Sequence, residues 1–159
     1  MTHEFINNLK MFNIALYQPD IPQNTAAVIR LCSCFGVTLE IIEPCGFHLD
    51  DKRLKKVAMD YLNKSRIITY KSYEDFLTKK GNSRIILMTT KAKKNYYSFK
   101  FKPKDTLLFG RESAGAPITV HKKSYQRLKI PLKKGARSLN ISIAAAITLS
   151  EALKQNMTF

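Results

Sequence analysis

Six short apolar runs alternate along this chain with stretches that read as helices, and that alternation limits the fold more than any other feature. The runs are FNIALY (12–17), TLEII (38–42), RIITY (66–70), RIILMTT (84–90), DTLLFG (105–110) and RLKIP (127–131). Each is of strand length, and their centres are apolar on both faces rather than alternating. Such strands belong to a parallel sheet covered by helices on two sides, an α/β architecture. The first intervening helix is expected over about 25–35, with Asn24 as N-cap, Gly36 as its stop, and Val28, Leu31, Cys32 and Phe35 as its apolar stripe. DDKRLKKVAMDYL (50–62) reads as a helix that is acidic at its start, as the helix dipole prefers. Ser72 and Asp75 resemble a capping box that opens a helix to about Lys80, ended by Gly81. A last helix covers about 139–155, with Ile141, Ala144, Ala145, Thr148, Leu149 and Ala152 at helical spacing. The lysine-rich stretch 91–104 is the most loop-like. Strand order is not encoded in these patterns. At 159 residues the chain fits a single domain, assigned to residues 11–159, with residues 1–10 an N-terminal extension expected to be disordered.

In open parallel sheets, ligands sit beyond the carboxyl ends of the strands. Three polar clusters fall at such ends: PQN after the first run, GRESAG (110–115) after the fifth, and KKGARSLN (133–140) after the sixth. Together they suggest one shared site. Known nucleotide motifs are missing from it. GRESAGAP lacks the Gly-Lys-Ser/Thr ending of a phosphate loop, and no G-x-G-x-x-G follows the first run. No serine sits in G-x-S-x-G. His3, His48 and His121 share no metal spacing, so no metal is expected, and His48 and His121 read as surface or loop residues. Cys32, Cys34 and Cys45 fit neither a metal site nor a disulfide framework and read as reduced, mostly buried residues. Arg30 lies about 200° around the first helix from Val28, at 100° per residue, and so points away from the apolar stripe. It shares its face with Ala26 and Ala27. That arrangement fits a solvated surface arginine, and it also fits a face approached by a ligand, a partner or another subunit.

The formal net charge is +15, from 27 Lys and Arg against 12 Asp and Glu. A surplus of this size attracts polyanions and favours nucleic acid as a partner. No apolar run approaches the length of a membrane span, and the N-terminus has no hydrophobic signal core, so a cytoplasmic protein without membrane attachment is expected.

Three segments, in order, carry a resemblance: IPQNTAAVIRLC, FGRESAGAP and IPLKKGARSLNISIAAAITLSEA. They are similar to the three motifs of the SPOUT, or α/β-knot, RNA methyltransferases. IIEPCGFHLDDKRLKKVAMDYL is further similar to the minimal, single-domain tRNA wobble-nucleotide 2′-O-methyltransferases. The resemblance implies a parallel-sheet SPOUT fold with a C-terminal deep trefoil knot, which general rules of chain topology would not suggest. It implies S-adenosyl-L-methionine as cofactor and a homodimer with its site near the subunit boundary. It also implies methyl transfer to the ribose 2′-hydroxyl of the wobble nucleotide, a cytidine or 5-carboxymethylaminomethyluridine, in the anticodon region of tRNA. By the same resemblance Arg30 and Asn24 are the catalytic residues, and Met88, Gly110, Glu112, Ile130, Ser138 and Asn140 form the cofactor site. Ser138 or Asn140 can equally serve as the N-cap of the last helix. Ala26, Ala27 and Ile143 depart from the wobble subgroup, in which glycine and asparagine are usual. Three other functions remain open: a ribose methylase of a different tRNA or rRNA nucleotide, a non-catalytic RNA-binding knot protein, and a small-molecule enzyme on a Rossmann sheet.

Overall fold

The computed structural model describes residues 12–156. The expectation for residues 1–10 lies outside them. The elements in chain order are β1 (Asn13–Tyr17), α1 (Pro22–Phe35), β2 (Thr38–Ile42), α2 (Lys52–Ala58), α3 (Tyr61–Lys64), β3 (Ile67–Tyr70), α4 (Tyr73–Lys80), β4 (Ile85–Met88), a 3-10 turn (Tyr96–Ser98), β5 (Thr106–Phe109), α5 (Ile118–Lys123), β6 (Gln126–Leu128) and α6 (Ile141–Asn156). The strands form one sheet in the order β3-β2-β1-β5-β4-β6. Every pairing is parallel.

Successive side chains of a strand point to opposite faces. Accordingly Ile14, Leu16, Leu39, Ile41, Ile86 and Leu107 pack on one face with Val28 of α1, Leu54 of α2 and Leu149 of α6. Ala15, Tyr17, Ile42, Leu87 and Leu108 pack on the other with Phe76 of α4 and Val120 of α5. This is the doubly covered parallel sheet expected from the apolar strand centres. After β1 the chain steps outward to β2, whereas after β5 it runs the other way to β6, past β4. The carboxyl ends of β1 and β5 therefore flank a topological switch point, where a crevice opens.

Several local expectations need correction. Asn24 is not the N-cap of α1. The helix begins at Pro22, after Ile21, which makes no side-chain cap bond. Proline at the first helical position needs no amide partner and is already in helical geometry. Phe35 is exposed at the last turn, and the buried set of α1 includes Thr25, Ala26 and Ile29 besides Val28 and Cys32. The reason is that α1 packs against both the sheet and α6, which widens its buried face. Ala26 is thus a core residue and not part of an open face around Arg30. The helix expected over 50–62 is broken at Met59 (φ 49°). The break lets Tyr61 and Leu62 turn back onto the core. Asp51 caps α2, its carboxylate accepting the Arg53 amide at 2.7 Å. The capping role of Ser72 holds, with its hydroxyl accepting the Asp75 amide at 3.0 Å. Cys34 is exposed, Cys45 is half-buried and only Cys32 is buried, its thiol pushed up to about 12 by that burial. The last strand is shorter than RLKIP, and α5 was not expected at all. Among the described residues no helix is long and apolar enough to cross a membrane.

Candidate functional site

Four strand ends converge at the switch point. The first turn of α1, which follows β1, brings Asn24, the segment after β4 brings Thr89, Thr90 and Lys91, the loop after β5 brings Gly110, Glu112 and Gly115, and the return after β6 brings Ile130, Leu132 and Arg137 to Asn140. They enclose a cavity of about 520 Å³. That is the size of a small-molecule site. Of the residues singled out from the sequence, Asn24, Met88, Gly110, Glu112, Ile130, Ser138 and Asn140 all line it. Met88, Phe109, Ile130, Leu132, Leu139 and Ile141 give it apolar walls, suited to a flat ring system, with amide, hydroxyl and charged groups among them.

The two asparagines join the first and third clusters. Asn140 Nδ2 donates to Asn24 Oδ1 at 2.9 Å. Asn140 Oδ1 accepts from the Ser142 amide at 2.9 Å and the Ser142 hydroxyl at 2.6 Å. Asn140 is therefore the N-cap of α6, which starts at Ile141 rather than 139. Because Pro22 opens α1, the Asn24 side chain caps nothing and is free to face the cavity. We expect Asn140→Ala to lower stability by about 1 kcal/mol in denaturant unfolding, and Asn140→Ser, which restores only the cap, to recover most of it. Equal losses in both variants would mean that the tether to Asn24 matters more than the cap.

The middle cluster is a closed turn. Arg111 and Gly115 exchange backbone hydrogen bonds at 3.1 and 2.9 Å. Gly110 lies so close beneath this turn that a Cβ there would sit 2.5 Å from Gly115 C and Ala116 N. Glu112 reaches across to the first cluster, where its Oε2 accepts the Asp20 amide at 3.1 Å.

Arg30 does not line the cavity. Its guanidinium lies 5.0 Å from the centre of the Tyr61 ring, on the exposed side of α1. Six residues separate it from Asn24, which places the two on different sides of the helix.

His121 corrects the sequence reading. It is buried, 7% exposed, and lines the cavity from α5. Burial, and then the charges of Lys91 and Arg127, hold its imidazole below the usual histidine range, so it is neutral at pH 7. The ring can then both donate and accept a hydrogen bond. The signal for it was weak, since α5 is too short to show an amphipathic period, and a histidine beside two lysines reads as surface. Among the described residues no cluster of acidic, histidine or cysteine side chains could hold a metal.

Residues 11–150 match the SpoU rRNA Methylase family. A tRNA (cytidine(34)-2′-O)-methyltransferase of Beijerinckia indica is 46% identical over 145 residues, covering 89% of this chain and 90% of its own. The protein of the same name from Escherichia coli K12 is 37% identical over 147 residues, covering 91% and 94%. A solved structure described as structural insights into the 2-OH methylation of C/U34 on tRNA superposes with a TM-score of 0.89 at 34% identity, over 92% of this chain and 97% of the other. An AdoMet-bound rRNA methyltransferase from Sinorhizobium meliloti shares the fold, with a TM-score of 0.85 at 22% identity over 93% of this chain and 57% of the other.

Proposed function

Since this chain belongs to the SpoU rRNA Methylase family, we propose that it methylates the 2′-hydroxyl of the wobble ribose in tRNA. The observation that carries this reading is near-full-length similarity, at 35–46% identity, to proteins all named tRNA (cytidine(34)-2′-O)-methyltransferase. The nucleotide is cytidine(34) or its modified uridine counterpart. The activity resides in one domain, residues 11–159, acting in the cytoplasm.

The cavity fits S-adenosyl-L-methionine in size and in donor set. Apolar walls at Met88, Ile130 and Leu139 suit an adenine ring, and backbone groups at Ile130 can read its edge. Ser138 and Asn140 offer hydrogen bonds to the polar tail, and Glu112 shapes the loop that closes the pocket. When bound, the cofactor supplies an electrophilic methyl group on a sulfonium, which needs no metal. The chain's task is alignment. Asn24, held by Asn140, faces the transfer point. Arg30 is assigned to the incoming ribose. Its guanidinium stays protonated and has no acceptor, so its role is to orient the hydroxyl and the adjacent phosphate. Its place outside the cavity is consistent with a site completed only when RNA, or a second subunit, covers the exposed side of α1.

We further propose that the return from β6 to α6 is threaded as a deep trefoil knot, and that the chain works as a homodimer. The exposed Ile21 and Ile143, at the starts of α1 and α6, support the dimer. Light scattering coupled to size exclusion is expected to give twice the 18.2 kDa chain mass. A fully active monomer would contradict it.

The substrate reading draws on charge as well. Lys52, Arg53, Lys55 and Lys56 form one basic cluster, and Lys91, Lys93 and Lys94 another. Phosphate contacts release counterions, so tRNA affinity is expected to fall linearly on a log–log plot against salt. A flat response would leave these lysines as a solvated surface. The function itself is tested with labelled S-adenosyl-L-methionine and unmodified total tRNA, into which label is expected to pass. Cofactor binding with no transfer to any RNA would instead favour the non-catalytic RNA-binding reading.

A further inference from the structure

We propose that Asp20 and Glu112 form a carboxyl pair sharing one proton, and that this pair positions the first turn of α1, which carries Asn24, against the cavity for methyl transfer. The positioning role rests on the function proposed above. The proton sharing does not.

The two residues are 92 apart in sequence and meet beside the cavity. Asp20 precedes α1 and Glu112 sits in the closed turn after β5. Their contacts use only one oxygen of each carboxyl group. Glu112 Oε2 accepts the Asp20 amide at 3.1 Å. Asp20 Oδ2 accepts the Ser113 hydroxyl and lies 3.7 Å from Arg111 Nε. The remaining oxygens, Asp20 Oδ1 and Glu112 Oε1, are both buried without a hydrogen-bond partner among the described residues. A buried, unsatisfied acceptor costs about 1–3 kcal/mol, and more when it is charged. Two carboxylates in contact would add mutual repulsion. One proton held between the two side chains removes both penalties. It satisfies both acceptors and leaves the pair with a single negative charge, which Arg111 faces.

Asp20 and Glu112 are each partly buried. The segment after β2 closes over Asp20, with Gly46 donating to the Pro19 carbonyl at 2.9 Å. A Cβ on Gly46 would lie 2.9 Å from Asp20 Cα and Cβ. The same segment contributes Glu43 and the half-buried Cys45, whose thiol is pushed up to about 11, mainly by burial and then by Glu43 and Glu112. The charged and titratable groups facing the pair are therefore Arg111 and Cys45, with Glu43 beside Cys45. In this setting burial and the hydrogen bond to Asp20 raise the Glu112 carboxyl above the ordinary range, while the same hydrogen bond lowers Asp20. The two shifts describe one proton, resident between the two titrations. It enters as pH falls through the raised value and leaves as pH rises through it. A second enters only below the lowered one.

The consequence lies four residues on. Asp20 is anchored to Glu112 through its amide, Pro22 starts α1, and Asn24 reaches Asn140 across the cavity. Loss of the shared proton sets two like charges against each other where the first and second clusters are joined. The first turn of α1, which carries Asn24, then loses its register with the pocket.

The test combines infrared difference spectroscopy with a pH–rate profile, using the full chain, its Glu112→Gln variant, and Cys45→Ser to remove the thiol that also faces the pair. As the pH is lowered from neutral, the wild type is expected to gain a protonated-carboxyl stretch that Glu112→Gln lacks. Methyl transfer to tRNA by the wild type is expected to fall over the pH range in which that band disappears, by about tenfold for each pH unit. Cys45→Ser should keep this limb. Glu112→Gln should lack it, whatever its absolute rate, because a carboxamide donates to Asp20 without titrating. Absence of the band in the wild type overturns the shared proton. A band present with identical pH profiles for wild type and Glu112→Gln overturns the positioning role. A band present in a protein that neither binds S-adenosyl-L-methionine nor methylates tRNA sinks the proposed function and leaves the carboxyl pair standing.

Discussion

Arg30→Ala is expected to lose methyl transfer by on the order of a hundredfold or more while binding the cofactor as the wild type does. The split follows from position. Arg30 is outside the cavity lining, so its removal leaves the pocket walls intact. What disappears is the planar cation proposed to orient the ribose hydroxyl and the neighbouring phosphate. Stability should change little, since the side chain is exposed and alanine suits a helix interior, although the stacking of the guanidinium on Tyr61 will be lost. Arg30→Lys should fail as well, because an ammonium cannot reproduce a two-point planar contact. Cofactor titration, a melting curve and single-turnover transfer on each variant separate the possibilities. Transfer at the wild-type rate by Arg30→Ala would make Arg30 a surface residue. Lost cofactor binding would make its role structural.

Gly110→Ala should do the reverse and strike the pocket itself. The added methyl would lie 2.5 Å from Gly115 C and Ala116 N and 3.0 Å from Gly115 Cα. All three are backbone atoms, so no side chain can swing aside. Relief requires opening the Arg111–Gly115 pair, and with it the turn that forms one cavity wall. Overpacking of this kind costs about 1–3 kcal/mol, with about 1 kcal/mol more for each hydrogen bond lost. The wild type should gain about 2.7 kcal/mol of apparent stability at a cofactor concentration of 100 times Kd. Gly110→Ala should melt lower and respond weakly or not at all to S-adenosyl-L-methionine. Wild-type melting and an undiminished ligand response would show that the turn is looser than its geometry indicates.

The sheet was legible because its strands are apolar on both faces, as Ile85–Met88 and Thr106–Phe109 illustrate. Strand order was not, because pairing is decided by packing between distant segments. The cavity could be anticipated from polar clusters at strand ends, since those loops have no core to fill. Boundaries misled where a local rule had a competitor. Asn24 is a fair N-cap by residue type, yet Pro22 starts the helix earlier and releases the side chain for Asn140. His121 and the Asp20–Glu112 contact were invisible for a different reason. Each acquires its character from burial by other segments, and no spacing along the chain encodes that. Glu40 is a similar case: it looks out of place within the second strand, and it is buried there with Lys80 at 2.8 Å and the Tyr70 hydroxyl at 2.6 Å.

The central claim is that this chain places a methyl group on the wobble ribose of tRNA, and locating the methyl tests it most directly. Unmodified tRNA incubated with the protein and isotopically labelled S-adenosyl-L-methionine is digested and sequenced by mass spectrometry, with alkaline hydrolysis as a second readout. The account predicts label at nucleotide 34 alone, on the ribose, so that the adjacent phosphodiester resists alkali. Label on a base, or on the ribose of a different nucleotide, would contradict it.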